Sequence, residues 1–144
     1  MRAYLGRRYR MSASHRLHCE ALSSEENRVV YGKCNNPHGH GHNYVVEVVV
    51  AGEVNPVTGM VCDLGALDRC VIKEIVERFD FANLNFDAAF QSLVPTTENL
   101  NIEIYNVLKA AFTGAELVEV RVEETAKNSF AYPVPEQDRK AVEV

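Results

Sequence analysis

Three histidines separated by single glycines run directly into a block of valines: Pro37-His38-Gly39-His40-Gly41-His42-Asn43-Tyr44, then Val45, Val46, Val48, Val49 and Val50. β-Branched residues at this density call for an extended strand, expected over 43–51, because they pack well on a pleated surface and lose rotamer freedom in a helix. Alternate residues of an extended chain point the same way, so His40 and His42 project to one side and can reach one ion. The glycines let the backbone turn and approach its neighbours.

The rest of the chain supplies partners for that strand. Residues 3–14 are rich in strand formers, and Asn55-Pro56-Val57-Thr58-Gly59 has the residues a chain reversal requires. From Leu64, the apolar residues Leu67, Val71, Ile75 and Phe79 recur at three- and four-residue steps behind Asp63 as N-cap, which is the pattern of an amphipathic helix. A second helix follows Pro95, with Thr96 as N-cap, Glu98 at its positive end, a stripe of Leu100, Ile104, Val107, Leu108 and Ala111, and Gly114 as its stop. Val118, Val120 and Val122 alternate with Glu119, Arg121 and Glu123 in a third strand, and residues 129–132 form a short fourth. The order ββααββ implies an α+β fold: a four-stranded antiparallel sheet with two helices on one face. Residues 1–144 read as one domain, with a polar tail from about 133 expected to be loosely ordered.

Charge narrows the function classes. Fifteen basic and twenty acidic residues leave a net charge of −5, and Arg7, Arg8 and Arg10 form the one basic cluster, so nucleic acid is not an expected partner. No apolar run approaches the ~20 residues of a bilayer span, and the N-terminus is Arg-rich and polar, so a cytoplasmic protein without membrane contact is expected. Cys19, Cys34, Cys62 and Cys70 make no closely spaced pair and read as reduced thiols, with two disulfides as the alternative.

All five histidines (His15, His18, His38, His40 and His42) lie in the first 42 residues. His15 ends the first strand, where an antiparallel pairing would bring it beside the start of the second. His15, His40 and His42 are therefore expected to bind Zn2+, and three imidazoles leave a fourth position open, as in catalytic rather than structural zinc sites. A polar loop is the plain alternative for the His-Gly run, and surface positions are the plain alternative for His18 and His38. Cys34 lies in the loop Gly32-Lys33-Cys34-Asn35-Asn36-Pro37, where a neighbouring cation would favour a reactive thiolate. Glu124 continues the alternation onto the apolar face of its strand, where a carboxylate needs a partner; a salt bridge would also satisfy it.

Taken together, Ser12-Ala13-Ser14-His15-Arg16-Leu17-His18, Tyr31 through Tyr44, Pro56-Val57-Thr58-Gly59-Met60-Val61, Thr96-Thr97-Glu98-Asn99 and Val122-Glu123-Glu124-Thr125 resemble the 6-pyruvoyltetrahydropterin synthase family in family order. The five residues between Cys34 and His40 resemble the biopterin-pathway branch rather than the 6-carboxytetrahydropterin synthases. The resemblance implies a tunnelling fold, assembly as a homohexamer of two stacked trimers with sites between subunits, and zinc on His15, His40 and His42. It implies elimination of triphosphate from 7,8-dihydroneopterin triphosphate to give 6-pyruvoyltetrahydropterin, a pterin triphosphate being the small-molecule partner. By position, Glu124 would anchor the pterin, Thr96 and Thr97 would line its pocket, and Cys34 with Asp80 would be catalytic. One departure stands out: the family's Asp-His pair is Asp80-Phe81 here. Side-chain cleavage to a 6-carboxy or hydroxymethyl pterin, and pterin binding without turnover, are the alternative readings.

Overall fold

The computed structural model describes residues 1–136; the rest of the expected loose tail, 137–144, lies outside the described residues. The chain runs β1 (Arg2–His15), α1 (Ser24–Tyr31), a 3-10 turn (Gly32–Asn35), β2 (His40–Glu53) and α2 (Leu64–Val71). A π-turn (Ile72–Val76) carries α2 into α3 (Glu77–Phe79), followed by β3 (Ala82–Asn83), α4 (Thr97–Ala111), β4 (Glu116–Glu123) and β5 (Ser129–Tyr132). Among the described residues no helix is long and apolar enough to cross a membrane.

The fold is α+β, with one correction to the expected sheet: it has five strands in the order β3-β1-β2-β4-β5, not four. The extra strand is the two-residue β3, which pairs parallel with Ala13 and Ser14 of β1 and is too short to leave a pattern in the sequence. A second correction concerns α1, which no apolar periodicity announces because Asn27 is its one buried residue. Local chemistry starts it: Ser23 accepts from the Glu26 N–H while the Glu26 carboxylate accepts from the Ser23 N–H, a reciprocal capping box. A third lies in β4, where the pairing with β2 shifts between Val49 and Val50, so that Val50 faces Leu117 and Val49 faces Glu119. This bulge inserts Val118 as an extra residue and reverses the facing of everything before it. Leu117, Val120 and Val122 are buried while Val118 is half-buried.

The core lies between the sheet and the long helices. Tyr44, Val46, Val48 and Val50 of β2 and Met11 and Ala13 of β1 meet Leu67, Val71, Ile75 and Phe79 from the α2–α3 segment and Leu100, Ile104 and Leu108 from α4. Burying such a side chain contributes about 1.5–3 kcal/mol each, so this face sets which way every residue of β1 and β2 points. Helix α4 ends at Ala111 with Phe112 as its cap, two residues before Gly114.

The segment between β3 and α4 is tied down by ions. Arg78 donates to both carboxylate oxygens of Asp87 at 2.9 and 2.7 Å and meets Glu103 of α4 at 3.0 Å. Its guanidinium holds the Asp87 carboxyl below the usual carboxylate range. A depressed acid contributes stability that is complete above its unfolded value near ~3.9 and is lost as pH falls through the lower folded value. Asp87→Asn is therefore expected to lower the unfolding free energy at pH 7 by about 1–3 kcal/mol and to flatten its decline as pH falls below about 4. Chemical denaturation at a series of pH values measures both; an unchanged acid limb would remove Asp87 from the account.

Candidate active site

Strand parity and register bring the histidines together. His15 follows Met11 and Ala13 on the core-facing side of β1, and His40 and His42 precede Tyr44 on the core-facing side of β2. The two strands pair antiparallel with His15 opposite His40. Gly39 makes the approach possible: its φ is +69°, and a Cβ there would stand 2.6 Å from the His15 carbonyl oxygen. His40 Nε2 lies 3.1 Å from His15 Nε2 and 3.2 Å from His42 Nε2.

Those spacings fit a metal. Ligand nitrogens at about 2.05 Å from a tetrahedral zinc are separated by about 3.3 Å, close to what is observed. The protonation pattern fits as well. His15 is 1% exposed and its Nδ1–H donates to the Pro95 carbonyl at 2.8 Å, which fixes the ring and leaves the Nε2 lone pair for an ion. Burial pushes both the His15 and the His42 imidazoles toward their neutral, ligating form.

Two further donors complete the cluster. The ligand atoms of His15, Cys34 and His40 lie within 4.8 Å of one another, as do those of His15, His42 and Glu124. Cys34 sits in the 3-10 turn, which is docked on the segment just after β1 by the Leu17 N–H donating to the Cys34 carbonyl at 2.8 Å. Burial, and then the Glu124 charge, push its thiol up and hold it neutral. Glu124, 13% exposed, stands just beyond β4, with Oε1 at 3.0 Å from His42 Nε2 and 3.8 Å from His15 Nε2.

The remaining candidates fall in different places. Thr96 is the N-cap of α4, its hydroxyl accepting from the Asn99 N–H at 3.2 Å. Thr97 is buried, and its hydroxyl faces the phenol of Tyr44. Asp80 is not gathered into the cluster: its carboxylate accepts from the Ser12 N–H at 2.8 Å on β1. Phe81 stands beside it with φ +56° and its side chain 89% exposed, its N–H donating to the Ser12 carbonyl at 2.6 Å. Tyr44 was absent from the expected site, although its parity with His40 and His42 points to it. It is fully buried with its phenol facing the Thr97 hydroxyl, and burial and the Glu124 charge raise its pKa far above the ordinary value.

The chain is similar to known proteins over nearly its whole length. A sequence profile of the 6-pyruvoyl tetrahydropterin synthase family matches residues 4–134. The 6-pyruvoyl tetrahydrobiopterin synthase of Poecilia reticulata is 48% identical over 130 residues, covering 90% of this chain and 88% of that protein. The Homo sapiens 6-pyruvoyl tetrahydrobiopterin synthase is 44% identical over 131 residues, covering 90% of each. The solved structure of Caenorhabditis elegans 6-pyruvoyl tetrahydropterin synthase superposes with a TM-score of 0.87 at 41% identity, covering 94% of this chain and 97% of that one.

Proposed function

This chain belongs to the 6-pyruvoyl tetrahydropterin synthase family, and from that membership we propose that it is a zinc-dependent lyase eliminating triphosphate from 7,8-dihydroneopterin triphosphate to give 6-pyruvoyltetrahydropterin. The observation that carries the reading is the gathering of His40, His42, Cys34 and Glu124 around His15, where the end of β1 meets the start of β2.

Zinc on His15, His40 and His42 would supply a Lewis acid that makes the C–H and O–H groups of the substrate side chain more acidic. Cys34 takes up a side-chain proton. Burial keeps its thiol neutral in this chain alone, so its work as a base depends on positive charge beside it. Glu124 accepts from the ring N–H and amino donors of the pterin and orients it, with Thr96 and Thr97 lining the pocket. Asp80, whose carboxylate accepts from the Ser12 N–H of β1, serves the site of a neighbouring copy in a homohexamer of two stacked trimers. A cytoplasmic location belongs to the same reading.

Mass spectrometry of the products from 7,8-dihydroneopterin triphosphate tests it directly. Zinc-loaded protein should release the pyruvoyl product, and Cys34→Ala should lower turnover by about 10²–10⁴-fold without loss of binding. A 6-carboxy or hydroxymethyl product would replace this reaction with side-chain cleavage. The exposed Phe81, which cannot carry a proton, favours a second reading in which the chain binds pterin without turning it over. Bound but unchanged substrate, with turnover appearing in Phe81→His, would establish that reading instead.

A further inference from the structure

A cavity of about 670 Å³ opens beside the histidine cluster, with His40 in its wall. Its other walls come from the end of β1 (Arg16, His18), from α1 (Ser24, Arg28) and from the turn carrying Cys34 (Gly32, Lys33, Asn35, Asn36, Pro37), and no acidic side chain lines it. In a chain of net charge −5 this concentration of cations is a local inversion of sign.

The cations are also free. Among the described residues Arg16, Arg28 and Lys33 have no carboxylate within ion-pair distance, like Lys73 and Lys109 elsewhere on the surface, and they differ from those in facing one cavity together. Arg16 is placed rather than adventitious. The Asn85 amide accepts from its backbone N–H at 2.7 Å and donates to its carbonyl at 2.9 Å, and its Nε donates to the Asn35 carbonyl at 3.3 Å. Asn35 in turn is buried and donates to Leu17 O and His18 Nδ1, so the same side chain braces two walls. His18 Nε2 has the one acidic neighbour, the exposed Glu20 at 3.6 Å.

We propose that this cavity is an oligophosphate subsite, in which Arg16, Arg28 and Lys33 hold the triphosphate arm of the substrate while its carbon end lies at the histidine cluster. Phosphate oxygens match the planar fork of arginine, and a concave wall of unpaired cations beside a metal site suits a multiply charged chain better than an extended nucleic acid, which needs a basic stripe. The assignment rests on the proposed reaction for the identity of the substrate, but not for the ligand chemistry.

The test titrates inorganic triphosphate into the zinc-loaded protein by calorimetry, which requires no turnover. Arg28→Ala/Lys33→Ala should weaken binding about tenfold or more, with a shallower salt dependence, whereas the charge-matched Lys73→Ala/Lys109→Ala should leave affinity within about twofold. All four side chains are exposed, so neither variant threatens the fold. No binding by the unaltered protein, or equal losses in both variants, would overturn the assignment. Selective triphosphate binding by a protein that releases none from 7,8-dihydroneopterin triphosphate would sink the proposed reaction and leave the subsite standing. Turnover together with undiminished triphosphate affinity in Arg28→Ala/Lys33→Ala would do the reverse.

Discussion

Replacing His40 with alanine is expected to lower bound zinc from about one ion per chain to near zero, and to reduce turnover by about three orders of magnitude or more. His40 is the middle of the cluster, with its Nε2 at 3.1 and 3.2 Å from those of His15 and His42. Removing it leaves two imidazoles, too few for a closed zinc site without recruiting other donors. The fold should survive, because the His40 side chain is half-buried and its ring nitrogen touches no partner outside the cluster, whereas His15 is built into the core through Pro95. Metal analysis after gel filtration, thermal unfolding and a triphosphate-release assay measure the three quantities separately. Full zinc occupancy in His40→Ala would mean that the ion sits instead on His15, His42 and Glu124, whose ligand atoms lie within 4.8 Å of one another.

Glu124→Gln is expected to lower kcat/KM by about 10²–10⁴-fold and to leave zinc in place. Breaking one side of a buried, charge-assisted pairing costs about 3–5 kcal/mol, which sets that range. The zinc measurement matters because the position is ambiguous by distance alone: Oε1 lies 3.0 Å from His42 Nε2, near enough for Glu124 to act as a ligand itself. Glutamine keeps the shape and loses the charge. A kinetic loss with zinc retained assigns the carboxylate to the pterin; loss of the ion would transfer it to the metal. The same variant should weaken binding of a pterin lacking the phosphate arm, which Arg28→Ala/Lys33→Ala should not. The two substitutions thus divide the substrate into its ring and its chain.

The histidine triad was legible early because its geometry follows from period-two alternation. Once residues 40–50 are a strand with valine facing the core, His40 and His42 must share that face, and Tyr44 with them. The helices carrying Leu67 to Phe79 and Leu100 to Leu108 were legible for the same reason at a period of 3.6, and Thr96 and Asp63 do cap them. Where no periodic apolar face exists, the sequence carries no such signal. Helix α1 buries one asparagine, and β3 is two residues long. At Val118 the alternation was present and misleading, because a bulge changes parity without changing composition.

What the sequence determined by itself is the set of local facings: which residues of each strand and helix turn toward the core, and therefore that His15, His40, His42 and Glu124 lie on the buried face at the ends of their strands. Only the tertiary structure decided which ends meet. The His15–His40 register, the Pro95 carbonyl on His15, the 3-10 turn that carries Cys34 to the imidazoles, and the gathering of Arg16, Arg28 and Lys33 around one cavity join residues distant in the chain. Periodicity is a property of neighbouring residues and can be read along a chain, whereas register and docking are selected by packing the whole core at once.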